Sequence, residues 1–336
     1  MGKVLQFYTD KKINMKAVII SEFGGTEVLK IQETERPIPM DDEILVKVFA
    51  SGVNPVDCVI RDGGNDLLRP LLKLPLILGC DAAGIVEEVG TNVTNFKKGD
   101  QVFGCPNFPG KGSYAEFVGA RATQFALKPK NISFNEASAV PLTALVAWMG
   151  LFELGKLQAG QRVLILGASG GVGNFAVQGA KAKGAYVIAT ASSGNLEFLK
   201  QIGADEVLDY KTQNVEKILQ KIDLVFDASP VRDNNERLKS ISVLKNGGIY
   251  VTANVDFPFN EKVNELFAKK NIQGEMVTGQ KHEHLPEIAK LIDQGKIKVF
   301  VSKVYPLEQV EQAHKESETW HIRGKLVLEV QKEKRE

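Results

Sequence analysis

Short apolar runs with a period of two dominate the first 125 or so residues, and Gly, Pro, Asn and Asp separate them. Alternation of this kind is typical of half-buried strands, and the separating residues favour tight turns. The pattern predicts an all-β unit whose strands lie in residues 15–21, 27–33, 43–51, 82–90, 100–104 and 113–119.

The pattern changes at about Phe134. Residues 135–154 are a long apolar stretch of good helix formers with Glu136 near its start, which predicts one buried helix leading into a second domain. Apolar strands then alternate with helical segments, and this order calls for a parallel sheet with crossover helices. The last stretch has helices predicted in 284–296 and 308–317 and strands in 298–307 and 324–330, and we interpret it as rejoining the first domain.

Composition narrows the function classes. The chain has 336 residues, a formal net charge of +1, 43% apolar and 25% charged residues, so no charge excess points to nucleic acid or to a membrane surface. It has no apolar run long enough to span a membrane, and its polar start lacks the features of a leader, which predicts a cytoplasmic protein. Residues 1–14 are either an extension or an extra edge strand. Three scattered cysteines fit a reducing compartment.

A glycine-rich turn follows the predicted strand Arg162–Leu166 directly and leads into a helix predicted to begin near Asn174. Strand, turn and helix in this order are the context of a dinucleotide-binding fingerprint. Gly170 lets the backbone approach a diphosphate, Gly173 lets the helix pack closely on the strand, and the helix N-terminus attracts phosphate. The predicted cofactor contacts here are Ala168, Ser169, Gly170, Gly171, Val172 and Gly173.

The next strand, predicted in 186–190, decides the choice of cofactor. NAD-binding sites of this kind have an acid at its end that accepts hydrogen bonds from the ribose. Here Ser192 and Ser193 follow instead, and the first acid is Glu197. The missing carboxylate favours NADPH, with the two hydroxyls as donors to its 2′-phosphate. The alternative is that the two serines form a polar turn and cap the next helix. An Arg at this point would be firmer support, and the sequence has none there.

Several motifs together resemble the quinone oxidoreductase branch of the medium-chain dehydrogenase/reductase superfamily. They are GVNPVD at 52–57, LGCDAAGIVEEVG at 78–90, KKGDQVFG at 97–104, PLTAL at 141–145, GASGGVG at 167–173, LEFLKQIGADEVLDY at 196–210 and GKLVLEV at 324–330. The resemblance implies an α/β protein with a GroES-like β-rich catalytic domain, 1–140 and 279–336, and an inserted Rossmann domain, 141–278. It also implies a homodimer built through edge strands, for which the candidate is 272–277.

The resemblance assigns roles to single residues. Asn54 and Thr143 would lie beside the nicotinamide, and Asp57 would orient their loop. Tyr210 would approach the 2′-phosphate, and Lys325 would close on the cofactor from the C-terminal segment. Ala228, after the predicted strand DLVFD, is assigned to the cofactor site as well.

Comparison with zinc alcohol dehydrogenases of the same superfamily predicts that this chain holds no metal. Asn54 and Cys80 stand where those enzymes place Cys and His, and a catalytic zinc needs about three protein ligands. The alternative is a non-standard site of Cys58, Cys80 and Asp81. His282 and His284 lack the spacing of a helical metal pair.

The leading functional hypothesis is therefore zinc-independent transfer of a hydride from NADPH to a quinone or an enone, whose conjugated carbonyl spreads the developing charge. Asn54, Thr143 or a ribose hydroxyl would donate to the acceptor oxygen, and the sequence names no general acid. The apolar segment 63–76 either shapes the acceptor pocket or packs in the core. Two alternatives stay open: an enoyl-thioester reductase, and a non-catalytic NADPH-binding protein.

Overall fold

The computed structural model describes residues 14–106 and 108–332. Residues 1–13 lie outside the described residues, so the question of an extra strand before Asn14 is left as a prediction. The strands are β1 (Asn14–Ile20), β2 (Lys30–Glu35), β3 (Glu43–Val53), β4 (Leu76–Ile77), β5 (Ala82–Val89), β6 (Gln101–Gly104), β7 (Phe117–Arg121), β8 (Phe125–Leu127), β9 (Arg162–Leu166), β10 (Tyr186–Ala191), β11 (Glu206–Asp209), β12 (Ile222–Asp227), β13 (Leu244–Thr252), β14 (Gln273–Met276), β15 (Val301–Pro306) and β16 (Lys325–Glu329).

Helices occupy both parts of the chain. They are α1 (Pro55–Arg61), α2 (Phe134–Ser138), α3 (Pro141–Trp148), α4 (Gly171–Ala182), α5 (Leu196–Gln201), α6 (Val215–Ile218), α7 (Asn234–Ser242), α8 (Glu261–Lys270), α9 (Leu285–Asp293) and α10 (Val310–Ser317). In the part of the chain that the structure covers, none of them is long and apolar enough to cross a membrane.

Two sheets build the β-rich part. A small antiparallel sheet has the order β2-β1-β4, and a larger one has the order β15-β16-β3-β5-β6-β8, with β7 also paired to β3. The last strand, β16, pairs antiparallel with β3, with Leu326 opposite Val53. The C-terminal segment therefore returns to the first part of the chain, as the hydrophobic pattern indicates.

The middle of the chain forms a six-stranded parallel sheet in the order β11-β10-β9-β12-β13-β14. The strand order reverses between β9 and β12, and ligands of such sheets bind at the carboxyl ends of the strands at this reversal. The α/β fold class is confirmed. β14 lies at one edge of the sheet, where the candidate dimerisation strand 272–277 was expected, while the boundaries at 140/141 and 278/279 stay a prediction.

The single helix predicted for 135–154 is wrong. The structure has α2, then α3 beginning at Pro141, then a π-helical turn, Met149–Leu154. Proline lacks a backbone N–H and fits the first helical position, so a new helix begins there instead of the first continuing. Two strand predictions also start too early: Thr26–Val28 is a 3₁₀ turn before β2, and β7 begins at Phe117.

A paired amide fixes the two parts of the molecule against each other. The side chain of Gln178, buried on α4, donates from Nε2 to the Lys298 carbonyl at 3.0 Å and accepts from the Lys298 backbone N–H at 2.8 Å. Lys298 leads into β15 of the other sheet. This contact holds the C-terminal segment against the helix that follows the glycine turn.

We expect Gln178→Leu to lower the free energy of unfolding by about 1–2 kcal/mol, because it removes two hydrogen bonds between a buried side chain and the Lys298 backbone. Urea denaturation of the whole chain measures the change. Gln201→Leu, at an exposed position on α5, is the matched control and should change stability little. Equal effects of the two substitutions would contradict the role given to Gln178.

Candidate active site

The glycine turn is built by close backbone packing. Gly167, directly after β9, has a φ of +68°, and a Cβ there would lie 2.7 Å from the Ala228 carbonyl oxygen. A Cβ on Gly173 would lie 2.2 Å from the Gly167 carbonyl oxygen, so only glycine lets α4 sit this close to the turn. Because of this packing α4 begins at Gly171, three residues earlier than the predicted start near Asn174.

The turn fits a dinucleotide's diphosphate. Gly170 caps α4 with extended backbone, and the described residues offer no side-chain cap to the first N–H groups of this 12-residue helix. Those donors lie at the sheet's strand-order reversal and carry the positive end of the helix dipole. Ala168 is fully buried and donates to the Thr190 carbonyl at 3.1 Å, which ties the turn to β10. Val172 is half-buried against the core.

The C-terminal segment meets the turn from the other side. Gly324 donates its backbone N–H to the Ser169 carbonyl at 3.1 Å. A Cβ on Gly171 would lie 3.0 Å from Lys325 Cδ and 3.1 Å from Thr143 Cγ2. Thr143 and Lys325, which stand 182 positions apart in the numbering, are thus brought together over the first residue of α4.

The Lys325 ammonium is buried among acceptors. Its Nζ donates to Asn54 Oδ1 and, at 2.9 Å, to the Val53 carbonyl, and it lies 3.5 Å from Asp81 Oδ2. Lys325 is 4% and Asp81 0% exposed. Three ammonium hydrogens thus face three protein oxygens, which offsets the cost of burying the charge.

The side chain and the backbone N–H of Asn54 both form hydrogen bonds within the protein. Its Nδ2 donates to Asp81 Oδ2 at 2.9 Å and to the Gly52 carbonyl at 3.4 Å, and its backbone N–H donates to Asp57 Oδ2 at 2.8 Å. The Thr143 hydroxyl donates to the Ala139 carbonyl at 3.0 Å. To donate to a substrate, as the family resemblance implies, either side chain would have to leave these acceptors.

Asp81 joins the parts of this cluster, whereas its place in the sequence indicated only a possible metal ligand. Its Oδ1 accepts from the Leu142 backbone N–H at 2.7 Å, at the start of α3. Its carbonyl accepts from the hydroxyls of Ser51 and Ser113, both at 2.6 Å. Burial raises the pKa of the carboxyl, and Lys325 opposes that rise. The signal available was an acid inside an apolar strand motif, which demands a partner.

Asp57 stabilises the loop of Asn54 by accepting the hydrogen bond from the Asn54 backbone N–H. Its carboxylate also accepts from Tyr114 Oη and from Cys80 Sγ, each at 3.0 Å. It is fully buried, and burial raises its pKa to about 6, against the donors that favour the charged form. The arrangement can orient the loop, which is the role that the resemblance implies.

The residues present do not fit a zinc site. Within residues 14–106 and 108–332, no three His, Cys, Asp or Glu side chains converge as metal ligands. Cys80 donates to Asp57, whereas Cys58 Sγ lies 3.4 Å from His314 Nδ1, so the two thiols of the alternative site serve separate contacts. Burial raises the pKa of Cys58 to about 12 and that of Cys80 well above its usual range, so both thiols are neutral in these contacts.

Residues 192–195 follow β10 and lie beside the end of β11. The Ser193 hydroxyl donates to Asp209 Oδ2 at 2.6 Å, and Tyr210, 57% exposed, donates its backbone N–H to the Ala191 carbonyl at 3.3 Å. Ser192 Oγ accepts weakly from Asn195 at 3.4 Å. An acid therefore does stand near this loop. It is Asp209 at the end of the neighbouring strand β11, and the residues that directly follow β10 do not reveal it.

The apolar segment 63–76 was predicted either to shape the acceptor pocket or to pack in the core, and its leucines differ in burial. Leu67 and Leu71 are 57% and 59% exposed, so these two do not pack in the core. Leu68, Leu72 and Leu74 are partly buried against it. The helical part is one 3₁₀ turn, Arg69–Leu71.

Comparison with known proteins gives a consistent picture. Residues 40–130 match the family described as alcohol dehydrogenase GroES-like domain, and residues 202–328 match the family described as zinc-binding dehydrogenase. A quinone oxidoreductase from Mus musculus is 36% identical over 90% of this chain and 93% of its own. A chloroplastic NADPH-dependent alkenal/one oxidoreductase from Arabidopsis thaliana is 35% identical over 94% of this chain and 79% of its own. The structure of a quinone oxidoreductase from Coxiella burnetii, 33% identical, superposes with a TM-score of 0.85 over 95% of this chain and all of the other.

We expect Gly173→Ala to weaken nicotinamide dinucleotide binding by about tenfold or more, because the added methyl pushes α4 off the turn and moves the phosphate donors. Calorimetric titration with the reduced cofactor measures the loss. Gly179→Ala on the same helix is the control, since its Cβ would meet only side chains at 3.9 Å. Equal affinity of Gly173→Ala and wild type would refute the placement of the diphosphate.

The raised pKa of Asp57 predicts a pH-dependent stability difference between wild type and Asp57→Asn. A carboxyl whose pKa rises on folding stabilises the native state below its unfolded pKa, and that contribution is lost as pH rises through about 6. Relative to Asp57→Asn, wild type should lose about 3 kcal/mol between about pH 4 and pH 7. Urea denaturation at a series of pH values tests this, and parallel curves for the two proteins would contradict it.

Proposed function

Since the chain belongs to the quinone oxidoreductase branch of the medium-chain dehydrogenase/reductase superfamily, we propose that it is an NADPH-dependent reductase of quinones and other α,β-unsaturated carbonyls that works without zinc. The broader statement, an oxidoreductase that uses a nicotinamide cofactor, follows from its relatives. We propose in addition that the cofactor is NADPH, that the acceptor is a quinone or an enone, and that the reaction needs no zinc.

One observation supports it most: Thr143 and Lys325 meet over Gly171, at the point where a bound diphosphate would begin. The nicotinamide end of the cofactor would therefore extend toward Thr143 and the Asn54 loop. The bound cofactor would supply the hydride. The chain's own residues would hold acceptor and cofactor in contact and exclude water from the space between them.

Zinc independence is supported by what fills the centre of the site. The charge that sits among Asn54, Asp81 and the Val53 carbonyl is the Lys325 ammonium. An ammonium in this position competes with any metal for the same oxygens. Quinones and enones do not require a Lewis acid, because conjugation spreads the charge that hydride addition creates.

Hydride addition to the acceptor requires a hydrogen-bond donor to the acceptor's oxygen. The polar hydrogens of Asn54 and Thr143 already have protein acceptors. Asn54 or Thr143 would therefore have to exchange one of these bonds for a bond to the acceptor oxygen, unless the bound cofactor supplied a hydroxyl donor. Neither Tyr114 nor Asp57 is a candidate acid, since both are fully buried and bonded to each other.

We also propose a domain organisation, an oligomeric state, a location and a set of partners from the sequence. They are the division into domains 1–140 with 279–336 and 141–278, a homodimer through the edge strand β14, and a cytoplasmic location with no nucleic-acid or membrane partner. One relative named above is chloroplastic, so the compartment needs its own measurement, for which imaging of the tagged full chain is suited.

The chain, purified without added metal, should oxidise NADPH in the presence of quinones and alkenones, contain far less than one zinc per chain, and keep its activity in chelator. A panel of quinones, alkenones and crotonyl-CoA, read by NADPH consumption together with elemental analysis, tests these points. Stoichiometric zinc with chelator-sensitive activity would refute metal independence. Preference for crotonyl-CoA would instead identify an enoyl-thioester reductase, and tight NADPH binding without turnover a non-catalytic protein.

A further inference from the structure

A cation from the C-terminal segment reaches the loop that follows β10. Arg323 Nε donates to Asn195 Oδ1 at 2.6 Å, and Arg323 Nη2 donates to the Gly194 carbonyl at 2.7 Å. The guanidinium carbon lies 5.2 Å from the centre of the Phe198 ring. These contacts join positions 128 and 129 residues apart, so the Arg beside this loop does not stand near it in the sequence.

The guanidinium keeps donors for a ligand. Arg323 is exposed, and of its five N–H donors the contacts within the described residues use two. A planar fork of this kind matches the oxygens of a phosphate. The contacts to the loop and the ring hold the group in place before a ligand arrives.

The loop at 192–195 is where dinucleotide-binding sheets recognise the adenosine ribose, and an Arg near this point accommodates the 2′-phosphate of NADP. The charges around it decide which ribose is accepted. Asp209 brings a carboxylate that would repel a phosphate, but this carboxylate already accepts from the Ser193 hydroxyl and from the Lys211 backbone N–H at 2.9 Å. A phosphate bound here needs a cation to offset Asp209.

We propose that Arg323 binds the 2′-phosphate of NADPH and sets the preference for NADPH over NADH; this inference rests on the proposed function. Three consecutive residues then recognise the cofactor along its length. Arg323 contacts the ribose loop, Gly324 the glycine turn through Ser169, and Lys325 the nicotinamide end beside Thr143. Since the three precede or begin β16, the cofactor preference depends on the return of the C-terminal segment to the first part of the chain.

The test uses equilibrium binding of two probes, 2′,5′-ADP and 5′-AMP, which differ in the 2′-phosphate and need no turnover. Arg323→Ala should weaken 2′,5′-ADP by about 10- to 100-fold, the loss of a charged hydrogen-bonding partner, and leave 5′-AMP unchanged. Arg323→Lys should recover part of the lost affinity. In kinetics with a quinone, Arg323→Ala should raise KM for NADPH with little change for NADH.

Arg232→Ala is the matched control, because Arg232 is likewise an exposed arginine but pairs with Asp256 away from this loop. Equal affinities of wild type and Arg323→Ala for 2′,5′-ADP would overturn the inference. A parallel loss for both probes would overturn it too, since it would mean that Arg323 only shapes the loop. Arg323-dependent binding of 2′,5′-ADP without any reductase activity would support the inference and refute only the proposed reductase function.

Discussion

A buried ammonium among oxygens holds the two halves of the site together. Lys325 enters from the last strand and meets Asn54 and the Val53 carbonyl on the first long strand and its loop, with Asp81, the residue before β5, beside them. Each charge alone would be costly to bury, and removal of one partner leaves the other unpaired. Asp81 then extends the cluster to α3 through the Leu142 N–H, so α3, the Asn54 loop and the C-terminal strand share one electrostatic centre.

Much of the fold could be predicted because local patterns agree with the global structure. Strand Arg162–Leu166 and the glycine turn were predictable from one continuous stretch, and so was the order of elements in the parallel sheet. The errors lie where a single residue overrides a periodic pattern. Pro141 divides an apolar stretch into two helices, and the close packing of Gly173 on Gly167 starts α4 earlier than the polar Asn174 indicates.

The site was predictable only in part, and the limit is sequence separation. The glycine turn and the Asn54 loop are local motifs, so their residues could be named in advance. The functions of Asp81 and Arg323 depend on partners brought together by the fold, and Asp209 reaches the ribose loop from the next strand. The missing acid at the end of β10 concerns one strand, whereas the loop 192–195 also receives Asp209 from β11 and Arg323 from the C-terminal segment.

The position of β16 between β15 and β3 has a consequence for biosynthesis. The edge of β3 waits for a partner made about 270 residues later, while every strand of the parallel sheet has already left the ribosome. Domains fold as units during synthesis, and distant pairings close last. The parallel sheet can therefore form on the nascent chain, whereas the β-rich unit keeps an open edge on β3 until β16 has been made.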